Sequence, residues 1–430
     1  MRLSDPGKSR SKRRTPVVLA CTQGYPPDPT TGGQHLRDIV EEIARRGFEV
    51  RVLAASRDYN DPRIRYPADE QNGVRVTRLP LSALGKASIA RRMLAGIVFT
   101  LQCTMIGLAQ PRLAGVVVTT APPISPIAGW ALSLLRGVPL SYWVQDLHPD
   151  QLIALGRVGE RSPFARLVRL LNRLVIARAR AVVPMDRFMA ERLERYRPAA
   201  GVVRVRRPWA HEDRLAPLEH ADNPVRRERG WEGKRVLLYS GNLGHHTPID
   251  ALLEALRRLD DRDEIILAIA GTGVRVADAE RFAERHALEG VRVYPFVPYD
   301  EMGPVLAAAD AHLVSMGDAV SGMIHPNKLY AAMAVARPVL VLAPSPSYAD
   351  ELVEPHGIGW QTPHDPERVL AALRAFATAS DEELRAMGRR GRELLERSFR
   401  KASLVGATCD ALLDWDTRNV ERGARAGADA

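Results

Sequence analysis

Apolar residues fall into two alternating patterns along this chain, short continuous runs and longer stretches with helical spacing. Val17–Cys21 is a continuous apolar run, read as a buried strand. A loop rich in Pro, Thr and Gly follows, Tyr25-Pro26-Pro27 through Gly32-Gly33. From Gln34 to Arg46, Leu36, Ile39, Val40 and Ile43 share one helical face, and Gly47 is placed to stop the helix. Glu49–Ala54 reads as the next strand, which completes one strand–helix–strand unit. The same alternation then repeats. Strands are expected at Val74–Leu79, Val116–Val118, Pro139–Val144, Ala181–Pro184 and Val202–Val205. Helices are expected at Ile127–Leu135, Phe164–Ala179 and Arg187–Tyr196.

Between Arg207 and Trp231 the period is lost and Pro and charge accumulate, as in an interdomain linker. The pattern restarts with the strand Arg235–Ser240 and the glycine loop Gly241-Asn242-Leu243-Gly244. Thr247 is placed to cap the next helix, Ile249–Leu259, with Pro248 at its first position and Asp250 at the third. Strands follow at Ile265–Ala270, Val291–Val293, Ala311–Ser315 and Val339–Ala343, with a helix over Tyr299–Ala309. The chain ends in helical patterns at Val369–Thr378, Glu382–Arg397 and Leu404–Asp416, and a frayed tail from Gly423.

Alternation of this kind specifies parallel sheets covered on both faces, so the expected class is α/β with two doubly wound Rossmann-like domains facing a cleft. The expected divisions are a disordered basic arm over 1–14, a first domain over 15–207, a linker over 208–231 and a second domain over 232–400. A C-terminal helix over 401–421 is expected to cross back to the first domain. A length of 430 residues fits two cores.

Ligands of such sheets bind at the C-terminal ends of strands. Gly32 and Gly33 lie at such an end in the first half. Gly241–Gly244, Gly271 and Gly273 do so in the second, and none belongs to a Walker or dinucleotide motif. In His325-Pro326-Asn327-Lys328-Leu329-Tyr330, Asn327 and Lys328 would sit on the first turn of a short helix, where a cation and amide protons favour an anion. An ordinary helix–strand unit is the plainer alternative for that stretch.

Composition narrows the picture. With 46% hydrophobic and 26% charged residues the chain is globular. A formal charge of +10 points to anionic company: nucleic acid, anionic lipid or phosphorylated substrates. Cys21, Cys103 and Cys409 have no ligand-like spacing, so neither a disulfide nor a zinc site is expected, and the setting is reducing. Met93–Pro111 carries no charge and is flanked by Arg91, Arg92 and Arg112. It is read as a buried or interfacial helix, with a true membrane span as the alternative.

Four stretches carry a family resemblance. They are Val118-Thr119-Thr120-Ala121-Pro122-Pro123, Val144-Gln145-Asp146-Leu147-His148-Pro149-Asp150, Tyr239-Ser240-Gly241-Asn242-Leu243-Gly244, and Pro326-Asn327-Lys328-Leu329-Tyr330 with Arg337-Pro338-Val339. In this order they resemble the family-4 retaining glycosyltransferases of GT-B fold, in the branch that includes colanic-acid and O-antigen transferases. The resemblance covers roughly residues 15–415 and implies a nucleoside-diphosphate sugar donor in the second domain and a lipid-linked or glycan acceptor in the first. It implies Lys328 and the amides of Asn242, Leu243 and Gly244 against the leaving diphosphate, with Asp146 and His148 orienting the sugar or relaying the acceptor proton.

Relatives often carry two glutamates eight positions apart, where this chain has Met323 and Ala331. Asp350 and Glu351 are the candidates to supply a carboxylate instead, an exposed helix-start acid being the plainer reading. No metal or other cofactor and no nucleic acid are expected. The expected location is cytoplasmic, against the anionic inner face of the plasma membrane. A nucleotide-sugar 2-epimerase of the same fold and a catalytically inactive partner subunit are the alternatives.

Overall fold

The structure is a computed structural model that describes residues 15–58, 61–82, 89–259, 264–298 and 301–415. The basic arm over 1–14 and the tail from 416 lie outside the described residues. The first half runs β1 (Val17–Cys21), α1 (Thr31–Arg45), β2 (Glu49–Ala55), β3 (Asp69–Gln71), β4 (Val74–Leu79), α2 (Ile89–Ala109), β5 (Leu113–Val118), α3 (Pro126–Arg136), β6 (Leu140–Val144), α4 (Asp150–Ala154), α5 (Pro163–Arg178), β7 (Ala181–Pro184) and α6 (Arg187–Leu193). Its strands lie in the order β3-β4-β2-β1-β5-β6-β7, parallel except for the edge strand β3. β1 is buried on both faces, which explains its unbroken apolar run. Leu19 and Cys21 face the core under α2, α3 and α5, whereas Val18 and Ala20 face the core under α1.

The second half runs α7 (Pro224–Glu228), β8 (Arg235–Asn242), α8 (Asp250–Arg257), β9 (Ile265–Thr272), α9 (Val276–Arg285), β10 (Val291–Tyr294), α10 (Met302–Ala307), β11 (Ala311–Ser315), α11 (Lys328–Ala334), β12 (Val339–Leu342), α12 (Val353–His356), β13 (Gly359–Thr362), α13 (Pro366–Thr378), α14 (Asp381–Ser398) and α15 (Lys401–Leu412). Its sheet is all parallel, in the order β10-β9-β8-β11-β12-β13. The doubly wound two-domain architecture expected from the hydrophobic pattern is present.

Several local expectations differ. Val202–Val205 forms no named strand; Val203 bridges Val182, and the Arg206 N–H reaches the Pro184 carbonyl (3.0 Å), so the segment runs beside β7 as an isolated bridge. α8 starts at Asp250 without a side-chain cap, because Thr247 is used in a turn closed by its N–H on the Gly244 carbonyl (3.1 Å). The stretch over 208–231 is tied down at both ends. Trp209 stacks on Trp143 in the first core, and Trp231 is fully buried in the second. A period-based reading misses this because single tryptophans anchor the segment without any repeat.

α15 lies on the first domain. Ser141 Oγ donates to the Leu412 carbonyl (2.6 Å), Arg46 pairs with Asp410 (2.7 Å), and Trp415 occupies the space a side chain at Gly115 would need. Beneath that crossing, buried Asp38 accepts from Trp209 Nε1 (2.8 Å) and from Lys401 Nζ (2.9 Å). The chain therefore crosses between domains twice at one edge, and the C-terminal strand ends face each other across the gap.

Candidate active site

β8 and β9 remain paired past their apolar cores, with Gly241 opposite Gly271 and Asn242 opposite Thr272. The Leu243 N–H then donates to the Thr272 carbonyl (2.7 Å). A Cβ on Gly271 would lie 2.0 Å from the Gly241 carbonyl oxygen, and one on Gly273 2.2 Å from that of Leu243. The two loops touch backbone to backbone, which only glycine permits. Lys328 leans across them. Its ammonium sits 5.0 Å above the Tyr239 ring and 3.3 Å from where a Cβ on Gly241 would stand. Among the described residues no carboxylate pairs with Lys328. His246, on the same loop, is pushed down to about 4 by burial and by the charge of Lys328, so it is neutral at pH 7.

The helix start expected to bind an anion is modest. α11 has seven residues, the Asn327 N–H donates to the His325 carbonyl (2.9 Å), and the Leu329 N–H to that of Pro326 (3.1 Å). The anion-attracting power here rests on the Lys328 charge more than on the helix dipole. Asn327 Oδ1 is buried without a hydrogen-bond partner.

The facing half is built on β6. Asp146 and His148 follow its end and are half-buried. The Asp146 N–H donates to Thr120 Oγ1 (3.1 Å), and the His148 carbonyl accepts from Asn172 Nδ2. Burial raises the Asp146 carboxyl to about 6 and lowers the His148 imidazole to about 4. A neutral imidazole with an unpartnered, buried Nδ1 and a carboxyl titrating near neutrality can together hold or pass a proton. Gly32 and Gly33 lie in the first turn of α1, not in an open loop. A Cβ on Gly32 would stand 2.4 Å from Gln145 Oε1, and one on Gly33 2.7 Å from the Gly24 carbonyl oxygen. Gly32 lets α1 approach the β6 loop beside Asp146, and Gly33 lets it approach the loop after β1 at Gly24.

The two halves are joined across the gap. The Leu147 N–H donates to the Met323 carbonyl (2.9 Å), and Arg192 Nε to that of Ser321 (2.8 Å). Arg157 meets His245, and Arg187 pairs with Glu351. Deepest lies a chain of side chains. Asp186 Oδ2 accepts from His325 Nδ1 (2.7 Å), His325 Nε2 bonds the Tyr330 hydroxyl (2.8 Å), and that hydroxyl bonds Tyr348 (2.9 Å). All four residues are buried. Beside them a cavity of about 490 Å³ is lined by Phe188, Arg192, Arg195, Asp318, Ser321 and Ser345, among others.

Of the carboxylates considered, Asp350 is bonded to Gln361 Nε2 (2.6 Å) and to the Ser347 N–H, and Glu351 is held by Arg187. Met323, where relatives often have a glutamate, buries its side chain in the first-domain core. The structure thus gathers Gly241–Gly244, Gly271, Gly273, Asn327 and Lys328 on one wall and Asp146 and His148 on the other, and engages Asp350 and Glu351 within the fold. Sequence reasoning missed Asp186 and His325. Asp186 carries the signal of a helix N-cap, since its Oδ1 accepts from the Met189 N–H (2.8 Å), but a partner 139 positions away leaves no local trace.

Two doubly wound domains, one bearing a lysine at its strand ends and the other a carboxyl and an imidazole, define a two-domain α/β fold with an interdomain gap. Two family models match in tandem, the glycosyl transferase 4-like domain over residues 30–209 and the glycosyl transferases group 1 over residues 223–394. The chain belongs to the family-4 glycosyltransferases of GT-B fold. It is 27% identical over 355 residues to WcaI of Escherichia coli strain K12, assigned to colanic acid biosynthesis as a glycosyl transferase, covering 78% of this chain and 86% of that one. It is 26% identical over 257 residues to WbjE of Pseudomonas aeruginosa, assigned as a glycosyltransferase, covering 60% of this chain and 63% of that one.

Solved structures of similar shape include sucrose-phosphate synthase from Thermosynechococcus elongatus, with a TM-score of 0.74 and 16% identity over 96% of this chain and all of that one. Anabaena HepE, solved with UDP-glucose, has a TM-score of 0.70 and 15% identity over 93% and 99%. At these identities the likeness is one of fold.

Proposed function

We propose that this chain transfers a hexosyl group from a nucleoside-diphosphate sugar to a lipid-linked or glycan acceptor in surface polysaccharide assembly, with retention at the anomeric carbon. The observation that carries this reading is the Lys328 ammonium, without a carboxylate partner among the described residues, lying against the Gly241 backbone. The relatives assigned to glycosyl transfer and the UDP-glucose complex of the similarly folded HepE support the substrate class.

The reaction breaks the bond between the anomeric carbon and the diphosphate oxygen and forms one to an acceptor hydroxyl oxygen. Lys328 offsets charge on the departing diphosphate in a partly dry site, where a fixed cation acts without reorganising solvent. The Asn242 and Gly244 backbone and the neutral His246 shape the same wall, whereas the Leu243 N–H is spent on the Thr272 carbonyl and does not face the diphosphate. The acceptor enters from the interdomain gap at the end of β6, where Asp146 and His148 orient the sugar. The acceptor proton leaves on the departing phosphate oxygen or is relayed through His148. The proposed location is the cytoplasmic side of the plasma membrane.

The test is a thermal-shift panel of nucleotide sugars followed by turnover of the labelled stabilising donor. Lys328→Ala is expected to cut turnover on the order of a hundredfold or more, as for loss of one preorganised charge-assisted contact, while the melting temperature stays put. Unchanged turnover in that variant removes Lys328 from the mechanism. Release of an isomerised sugar without acceptor identifies an epimerase, and nucleotide binding without turnover a non-catalytic subunit.

A further inference from the structure

On the first-domain sheet face opposite α1 and α15, α2 packs against α3 and α3 against α5. Arg178 on α5 is bonded to Ser133 of α3 (3.0 Å), and Arg136 of α3 to the Gln110 carbonyl just beyond α2 (3.2 Å), so the three form one layer. Their inner stripes fill the core: Phe99 and Cys103 on α2, Ala128 and Leu132 on α3, Val175 and Ile176 on α5.

Their outer stripes are also apolar. Along α2, Leu94, Ile97, Leu101, Met105 and Leu108 recur every three or four residues, and each is between 38% and 69% exposed. Leu167, Leu170 and Leu174 form the same stripe on α5, and Leu134 and Leu135 lie exposed on α3. Single exposed leucines are ordinary, but three adjacent helices that each expose two or more large apolar side chains are not. The stretch of chain that builds this layer, residues 89–180, holds eleven arginines against three acids. One of those acids, Asp150, is buried against Arg195 and Arg169, whereas Arg92, Arg166 and Arg173 are exposed.

We propose that this three-helix face seats the protein on an anionic lipid bilayer, with the leucine and methionine stripes entering the headgroup–acyl boundary and the arginines meeting lipid phosphates. Charge decides the occupant. A second copy laid face to face would bring two arginine sets together, whereas anionic lipid complements them.

Within α2 the 19 residues Arg91–Ala109 have the length and hydropathy of a span, with a mean hydropathy of 1.5, but the inner stripe is part of the domain core, so the helix lies along the surface. The layer also has a direction. α2, α3 and α5 all start at the C-terminal strand ends, so Arg91, Arg92 and exposed Leu81 stand near the rim of the interdomain gap. A bilayer on this face places its surface at the mouth of that gap, where a lipid-linked acceptor would arrive; this last consequence rests on the acceptor class proposed above.

The test is cosedimentation of the full chain, without nucleotide, with phosphatidylcholine vesicles with and without a quarter phosphatidylglycerol. Binding to the anionic vesicles is expected, and binding to pure phosphatidylcholine at least tenfold weaker. The double variant Leu101→Ser/Met105→Ser and the double variant Arg166→Gln/Arg173→Gln are each expected to weaken anionic binding at least tenfold with unchanged melting temperature.

Wild-type protein that stays in the supernatant overturns the proposal, as does anionic binding that survives the apolar substitutions. Dimerisation by light scattering that Leu101→Ser/Met105→Ser abolishes would put a second copy on the face instead. Retention through salt and alkaline washes, with release only by detergent, would make α2 a span. None of these readouts involves a donor sugar, so the transferase reading stands or falls separately.

Discussion

Asp186 and His325 offer the sharpest test of how the two domains are held. Asp186 Oδ1 caps α6 (2.8 Å), while Oδ2 receives the His325 Nδ1 proton across the interface (2.7 Å). A carboxylate can only accept, so Nδ1 must donate, and the ring is oriented with Nε2 toward Tyr330. Tyr330 is two residues beyond Lys328 on α11, so this chain fixes the lysine-bearing helix against the first domain.

Asp186→Ala removes a cap, about 1 kcal/mol, and a charge-assisted bond, about 1.5–3 kcal/mol, and is expected to destabilise by about 2.5–4 kcal/mol. Asp186→Asn keeps an acceptor for the cap and is expected to lose roughly half of that. His325→Phe retains the stacking with Tyr330 (ring centroids 5.7 Å, 12° apart) but leaves Asp186 Oδ2 buried and unpaired, at about 2–4 kcal/mol. Urea unfolding of wild type, Asp186→Asn, His325→Phe and the double variant forms a cycle, with each domain's transition fitted separately. A coupling of about 1.5–3 kcal/mol is expected in the transition that separates the domains. Additive losses, with coupling below about 0.5 kcal/mol, would refute the argument that the pair acts as one interdomain unit.

The raised Asp146 carboxyl gives a prediction with a definite sign. Its folded value of about 6 exceeds the ordinary 3.8, so ionisation subtracts from stability as pH climbs between those values and the full penalty is present above about 6. Asp146→Asn is expected to be more stable than wild type by about 1–2 kcal/mol at pH 7.5, discounted for the partly exposed edge of the group, and equal to it below pH 4. A pH-independent difference in urea midpoints would show that burial does not hold this carboxyl neutral. Gly273→Ala puts a Cβ 2.2 Å from the Leu243 carbonyl oxygen at a φ of +141°, and is expected to cost about 1–3 kcal/mol and to weaken nucleotide-sugar binding in the thermal-shift panel. Retained affinity at that position would mean the loop backbone can move without consequence for the donor.

Local pattern was enough for most of the strands, the parallel sheets and the class of fold, though not for the short edge strands β3 and β13. A strand buried on both faces must be apolar at every position, and a helix over a sheet must repeat near 3.6, so these signals lie within a dozen residues of one another. The glycines at strand ends were legible for the same reason, since a strand end followed by glycine marks a close backbone approach wherever it occurs. Tertiary structure decided the rest. Gly32 faces Gln145 and Asp186 meets His325, both over separations that leave no periodic mark. It also decided which side of each apolar helix is inside. The uncharged stretch after Arg92 reads the same from either side in sequence, and only packing shows Phe99 turned to the core and Leu101 to the outside. Hydrophobicity sets how much surface a helix must cover, but the neighbours that cover it are fixed by contacts between distant parts of the chain.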